Sequence, residues 1–133
     1  MRPLHLDIKA FGPYADHQAI DFSELMDYRF FLIHGPTGSG KTALLDAMCY
    51  ALYGDTSGGA GGKARSGENM RSDYATDTEI TEVTFDFAVG QNLYRVRRSP
   101  RQWVARKRGS GLTETGESAC LFRIDADRQE VTT

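Results

Sequence analysis

One run of residues has types and spacing that point to a defined chemistry. Gly35-Pro36-Thr37-Gly38-Ser39-Gly40-Lys41-Thr42 fits G-x-x-x-x-G-K-[ST] at every fixed position. Gly35, Gly38 and Gly40 lack the Cβ atoms that would keep backbone N–H groups from wrapping a phosphate, and they permit positive φ where the loop curls. Pro36 stiffens that curl. The Lys41 ammonium would reach the β- and γ-phosphates, and the Thr42 hydroxyl would ligate Mg2+. The implied chemistry is a grip on a nucleoside triphosphate, with ATP and Mg2+ as the bound pair and Lys41 as the residue nearest the reacting phosphate.

Such a loop needs a strand before it and a helix after it. Phe30-Phe31-Leu32-Ile33 is an uninterrupted apolar tetrad, which predicts a parallel strand covered on both faces. From Lys41 the chain reads K-T-A-L-L-D-A-M-C-Y-A-L-Y, mostly good helix formers with apolar residues nearly all round, which predicts a buried helix. Gly54 is placed to cap its C-terminus. The free N–H groups and positive dipole end of that helix would face the loop and add to the attraction for a polyanion.

Around this unit the pattern is of strands. Leu4, Leu6 and Ile8 alternate with polar residues, Gly12-Pro13 makes a turn, and Ala19 to Phe22 returns as the second arm of a hairpin. Asp55 to Gly67 is rich in Gly, Ser and Ala and reads as a flexible loop. Order is expected to resume at Met70 to Tyr74. Val83, Phe85, Phe87 and Val89 keep period two, Gly90-Gln91-Asn92 supplies a turn, and Tyr94 and Val96 return. Trp103 to Arg108 and Ala119 to Asp125 predict two further strands, joined through Gly109-Ser110-Gly111 and a polar T-E-T-G-E-S link. The second half is then an antiparallel meander, and the fold class is α/β.

At 133 residues and a formal charge of −2 the chain has the composition of one globular domain or part of one. No stretch approaches a membrane span and the start does not read as a signal peptide, so a cytoplasmic protein is expected. Cys49 and Cys120 are far apart and form no C-x-x-C; both are expected to be small buried apolar residues. His5, His17 and His34 are scattered and expected in ordinary surface or strand-end roles. The average charge hides an asymmetry. Between Gln91 and Ser110 stand seven basic residues and no acidic one: Arg95, Arg97, Arg98, Arg101, Arg106, Lys107 and Arg108, with Trp103 among them as an expected core aromatic. Strand alternation would turn Arg95 and Arg97 outward together, with Arg106 and Arg108 likewise paired, a stripe suited to phosphate contacts.

Hydrolysis needs more than this loop. A P-loop hydrolase also uses an Asp at the end of a buried strand to hold Mg2+, and a carboxylate to orient water. V-T-F-D-F and L-F-R-I-D imitate that strand, but both alternate with polar residues, so Asp86 and Asp125 are poor candidates. Asp46, one turn into the helix, would approach Mg2+ only indirectly and reads as an ordinary polar helix residue. The catalytic half is expected elsewhere.

Several segments together carry a family resemblance: I-K-A-F-G-P-Y, I-D-F-S-E-L, F-L-I-H-G-P-T-G-S-G-K-T, L-L-D-A-M-C-Y-A-L-Y-G, M-R-S-D-Y-A and L-Y-R-V-R-R. From about Pro3 to Asp125 the chain resembles the N-terminal ATPase lobe of the SbcC family, the bacterial SMC-like subunits of SbcCD nucleases. The resemblance implies an ABC-type P-loop head split by a coiled coil, with the Walker B acid, signature motif and switch histidine on a C-terminal lobe. It implies as partners that lobe, a second head in a homodimer, an SbcD-type nuclease subunit and double-stranded DNA, in the bacterial cytoplasm at the nucleoid. This chain stops at Thr133, before the family's Gln-bearing loop, and is expected to be a truncated lobe that hydrolyses ATP negligibly alone. Residue by residue, Gly35 to Thr42 would hold ATP and Mg2+, and Arg71 and Ser72 in M-R-S would lie beside base and ribose. Arg95, Arg97, Arg98, Arg106, Lys107 and Arg108 would meet DNA, non-specifically. Phe11-Gly12-Pro13 departs from relatives that place an arginine near the adenosine. The rival readings are a complete small P-loop kinase, for which no lid or second Asp-ended strand can be placed, and a DNA-binding module with a vestigial nucleotide site.

Overall fold

The computed structural model describes residues 1–56 and 67–131. The glycine-rich stretch expected as a loop after Asp55 falls almost wholly outside them. Among the described residues eight strands and one α-helix are formed, in the order β1 (Arg2–Phe11), β2 (Tyr14–Asp21), α1 (Lys41–Tyr53), β3 (Glu82–Val89), β4 (Asn92–Ser99), β5 (Gln102–Ala105), β6 (Leu112–Thr115), β7 (Ser118–Ile124) and β8 (Glu130–Val131). Six strands make one antiparallel sheet, β2-β1-β3-β4-β7-β8, while β5 and β6 form a separate ribbon.

Alternation along the strands decides which face is covered. Leu6 and Ile8 of β1, Val83 and Phe85 of β3, and Val96 of β4 are buried on one side of the sheet. α1 lies on that side through Ala47, Tyr50 and Ala51, with the Tyr50 and Phe11 rings 5.7 Å apart. Each small residue lets the helix approach closely, and burying large apolar groups here supplies roughly 1.5–3 kcal/mol apiece. On the other side of the sheet the same register brings His5, Asp86 and Arg95 abreast.

Glycine bounds α1 at both ends. Gly40 precedes it with φ 92°, and Gly54 follows with φ 86°, its N–H bonding to the Tyr50 carbonyl at 2.8 Å. The expected cap is therefore in place. A Cβ at position 54 would enter the disfavoured left-handed region and stand 3.3 Å from Arg98 Nη1. Gly54→Ala is expected to cost about 1–2 kcal/mol, read as a lowered thermal midpoint with little change in secondary structure.

Several expectations fail, each for a tertiary reason. Phe30 to Ile33 is not a buried strand: the segment is unpaired among the described residues, Phe30 is 91% and Leu32 81% exposed, and only Phe31 finds an aromatic neighbour, Phe22. An apolar run becomes a strand only where a neighbouring edge offers hydrogen bonds. α1 is covered on one face rather than all round, leaving Leu45 and Tyr53 exposed, because the sheet reaches it from one side. The second half is not a simple meander. T-E-T belongs to strand β6, pairing with β5, and β5 ends at Ala105, so Arg106 to Gly111 is a turn instead of strand. This ribbon is an excursion between β4 and β7, which pair with each other. Trp103 lies on it 58% exposed, and not in the core. Cys120, on β7, is likewise exposed, while Cys49 is half-buried.

Candidate nucleotide site

The loop between Gly35 and Thr42 is built around the lysine. Lys41 opens α1, and its side chain turns back so that Nζ donates to the carbonyls of Gly35 at 2.6 Å and Pro36 at 2.8 Å. Ser39 Oγ lies 3.4 Å from the same nitrogen, and the Ser39 N–H closes a turn onto Pro36 O at 3.1 Å. Among the described residues no carboxylate forms an ion pair with this ammonium. Gly38 and Gly40 have φ 83° and 92°, and at Gly35 an added Cβ would stand 2.9 Å from Ser39 Oγ. Such a curl turns successive N–H groups inward, and the first turn of a helix leaves its N–H groups without intrahelical acceptors. These residues fit a triphosphate: Gly38 to Thr42 would cradle the phosphates with backbone N–H groups, Lys41 would add its charge, and the exposed Thr42 hydroxyl would hold Mg2+. Bound Mg2+ would supply charge neutralisation between phosphate oxygens.

Beside the first turns of α1 lies a cleft of about 280 Å3 lined by Gly12, Pro13, Ala43, Asp46, Met70, Arg71 and Tyr74, among others. Its walls are tied together by backbone bonds from Gly12 to Met70 and from Ser72 to Ala10. The side chains of Arg71 and Ser72, the residues expected beside base and ribose, are bonded to protein groups. Ser72 is buried and its hydroxyl accepts the Tyr74 N–H. The Arg71 guanidinium donates to the carbonyls of Thr76 and Glu79, to Thr81 Oγ1 and to Gln102 Oε1. It serves as the post of a polar knot in which Gln102 also reaches Thr81 and Ser99. A four-fold set of acceptors holds this cation within the protein. Met70 and Arg71 line the cleft beside the first turns of α1.

Comparison with known proteins now bears on the site. A profile described as AAA domain matches residues 5–133, nearly the whole chain. The chain belongs to the AAA domain family. This AAA domain is 46% identical to the C subunit of nuclease SbcCD from Vibrio cholerae serotype O1 over 131 residues, which are 98% of the chain and 12% of that relative. It is 43% identical to the protein of the same name from Lactococcus lactis subsp. lactis over 94% of the chain and 11% of the relative. A Staphylococcus aureus protein of that name matches at 42% over 74% of the chain and 9% of the relative. The resemblance to SbcC is thereby borne out, and the chain spans only 9–12% of the length of these relatives.

In this AAA domain the tertiary structure treats the six cations expected to meet DNA differently, and the outward stripe expected of Arg95, Arg97, Arg106 and Arg108 is broken up. Arg95 grips Asp86 with two bonds of 2.7 Å, and the Asp86 carboxylate holds its guanidinium above the ordinary arginine value. Arg97 bonds Glu130 at 2.9 Å and stacks over the Phe122 ring at 5.3 Å. Arg98 is on the helix-covered face with Val96, where it donates to the Ala51 carbonyl at 3.1 Å and reaches Leu52 O at 3.5 Å. It caps α1, matching a cation to the negative end of the helix. Arg106, Lys107 and Arg108 alone remain exposed together, at the tip of the β5–β6 ribbon. Their pairing on a strand face, expected from alternation, is replaced by a turn in which Arg106 Nε bonds Leu112 O at 3.2 Å.

The AAA domain also disposes of the acids. Asp86 is 1% exposed against Arg95, on the sheet face opposite α1. Asp125 folds a turn, its Oδ1 accepting the N–H groups of Asp127 and Gln129 at 2.9 Å. Neither faces the loop. Tyr14 was invisible to sequence reasoning as a site residue, yet its hydroxyl donates to the Gly40 carbonyl at 2.9 Å. Among the described residues no helix is long and apolar enough to cross a membrane.

Proposed function

We propose that this domain is the ATP-binding lobe of an SbcC-type DNA-repair ATPase, and that Gly35 to Thr42 hold Mg-ATP. The observation that carries the reading is the Lys41 ammonium, seated among loop carbonyls at the head of α1 with no neutralising carboxylate among the described residues, in a chain 46% identical to an SbcC protein. Lys41 and the first-turn N–H groups would orient the triphosphate, and Thr42 would fix the metal. The acids that position water would come from outside this lobe, since Asp86 and Asp125 are spent on structure. The exposed apolar residues Phe30, Leu32 and Leu45 support a further lobe of the same head packing beside the loop and completing the sheet. Two such heads would share their nucleotides, and an SbcD-type nuclease would respond to their engagement.

Calorimetric titration with ATP, with and without Mg2+, tests the reading. Binding that requires or is strengthened by Mg2+ is the expected result; no binding in either condition identifies a vestigial site. The chain alone is expected to show no steady turnover, and sustained phosphate release would refute the assignment of the acids elsewhere.

Double-stranded DNA is the proposed macromolecular partner, met through the ribbon tip. Reversing Arg106, Lys107 and Arg108 to glutamate is expected to weaken binding to all sequences alike. It should also reduce the slope of log K against log salt by about 0.9 for each phosphate no longer neutralised. An unchanged slope in a filter-binding series would remove the ribbon from the interface. The same reversal at Arg98 should instead destabilise the fold.

A further inference from the structure

Gly40 stands where two requirements meet. Its φ of 92° suits glycine, and a Cβ there would lie 2.3 Å from Tyr14 Oη and 2.9 Å from its Cζ. The Tyr14 ring, at the start of β2 and packed against the core, therefore presses directly on the last glycine of the loop. Its hydroxyl donates to Gly40 O at 2.9 Å, whereas the helical bond to the same oxygen, from the Leu44 N–H, is longer at 3.3 Å.

The carbonyl of Gly40 and the N–H of Lys41 belong to one planar trans peptide unit and point in opposite directions. Whatever holds the oxygen holds the N–H. A glycine with positive φ is the residue most able to let such a unit rotate, and rotation here would present a carbonyl oxygen to the phosphates in place of a donor. We infer that Tyr14 is a positioning residue for the phosphate loop: its hydroxyl locks the Gly40–Lys41 peptide so that the Lys41 N–H faces the triphosphate. The partial burial that raises the Tyr14 pKa keeps the hydroxyl protonated, and hence a donor, throughout the physiological range. Through this bond the edge strand β2 is joined to the loop.

The inference rests on the nucleotide reading above, and the test separates the two. Tyr14→Phe keeps the ring and removes the hydroxyl. Calorimetry on wild type and variant would use Mg-ATP and, separately, inorganic tripolyphosphate, with melting curves to verify the fold. One neutral hydrogen bond corresponds to a loss of about three- to tenfold in affinity. The expected result is a loss of that size shared equally by ATP and tripolyphosphate, with a cooperative melt lowered by no more than a few degrees, because the bond orients a donor to phosphate. Affinities within twofold of wild type for both probes would overturn the role of Tyr14 while leaving the nucleotide site intact. Weaker ATP with unaltered tripolyphosphate would overturn it too, by moving the effect to the base. A wild-type chain that binds neither probe would overturn the nucleotide reading and this inference together.

Discussion

Replacing Lys41 by alanine is expected to lower ATP affinity at least about 100-fold while leaving the melting temperature nearly unchanged. The ammonium is the only side-chain cation in the loop sequence, and it is held there by the Gly35 and Pro36 carbonyls at 2.6 and 2.8 Å. Those two acceptors fix its position but leave its charge unbalanced, so a triphosphate would gain charge-assisted hydrogen bonds of about 1.5–3 kcal/mol each. Loss of even two such bonds exceeds a hundredfold at about 1.4 kcal/mol per decade. Lysine and arginine differ here. The longer, planar guanidinium does not match the seat of a compact ammonium between the Gly35 and Pro36 carbonyls, so Lys41→Arg should also bind poorly. Calorimetry with Mg-ATP measures both variants, and alanine affinity within threefold of wild type would end the nucleotide assignment.

Asp86→Ala should have the largest effect on stability, about 3–5 kcal/mol. Asp86 is 1% and Arg95 19% exposed, and their bidentate pair bridges β3 and β4. Removing the carboxylate leaves a part-buried guanidinium to its longer contact with Glu130 at 3.6 Å, which is costlier than removing both charges. For a chain of this size the loss corresponds to a fall of about 10–20 °C in the thermal midpoint. Replacing both residues with apolar ones of similar volume, Asp86→Leu with Arg95→Met, should recover most of that loss. The pair of measurements also separates two roles that V-T-F-D-F leaves open on paper. A metal-binding acid would leave the midpoint near wild type when removed, and the double variant would not restore anything.

Features set by neighbouring residues were legible. The Gly54 cap, the β1–β2 and β3–β4 hairpins and the curl at Gly38 and Gly40 all follow from φ freedom and period-two alternation, which act over a few residues. The candidate loop was readable for the same reason. Arg71 was harder: four acceptors drawn from Thr76 to Gln102 hold its guanidinium. No local pattern announces such a knot. The exposure of Phe30 and Leu32 was equally hidden, because whether an apolar run is covered depends on which edge lies beside it.

The basic cluster shows the division most clearly. Sequence by itself determined that seven cations crowd between Gln91 and Ser110, and that a G-x-x-x-x-G-K-T loop heads a helix capped by Gly54. Only the tertiary structure decided which cations are free. Alternation gives each strand two faces, but it does not say what lies against them. Asp86 waits 9 residues from Arg95, Glu130 33 residues from Arg97, and the helix carbonyl of Ala51 47 residues from Arg98. Those meetings are set by sheet register and by where one helix comes to rest, both fixed by packing over the whole core. The loop glycine met its tyrosine in the same way, across 26 residues.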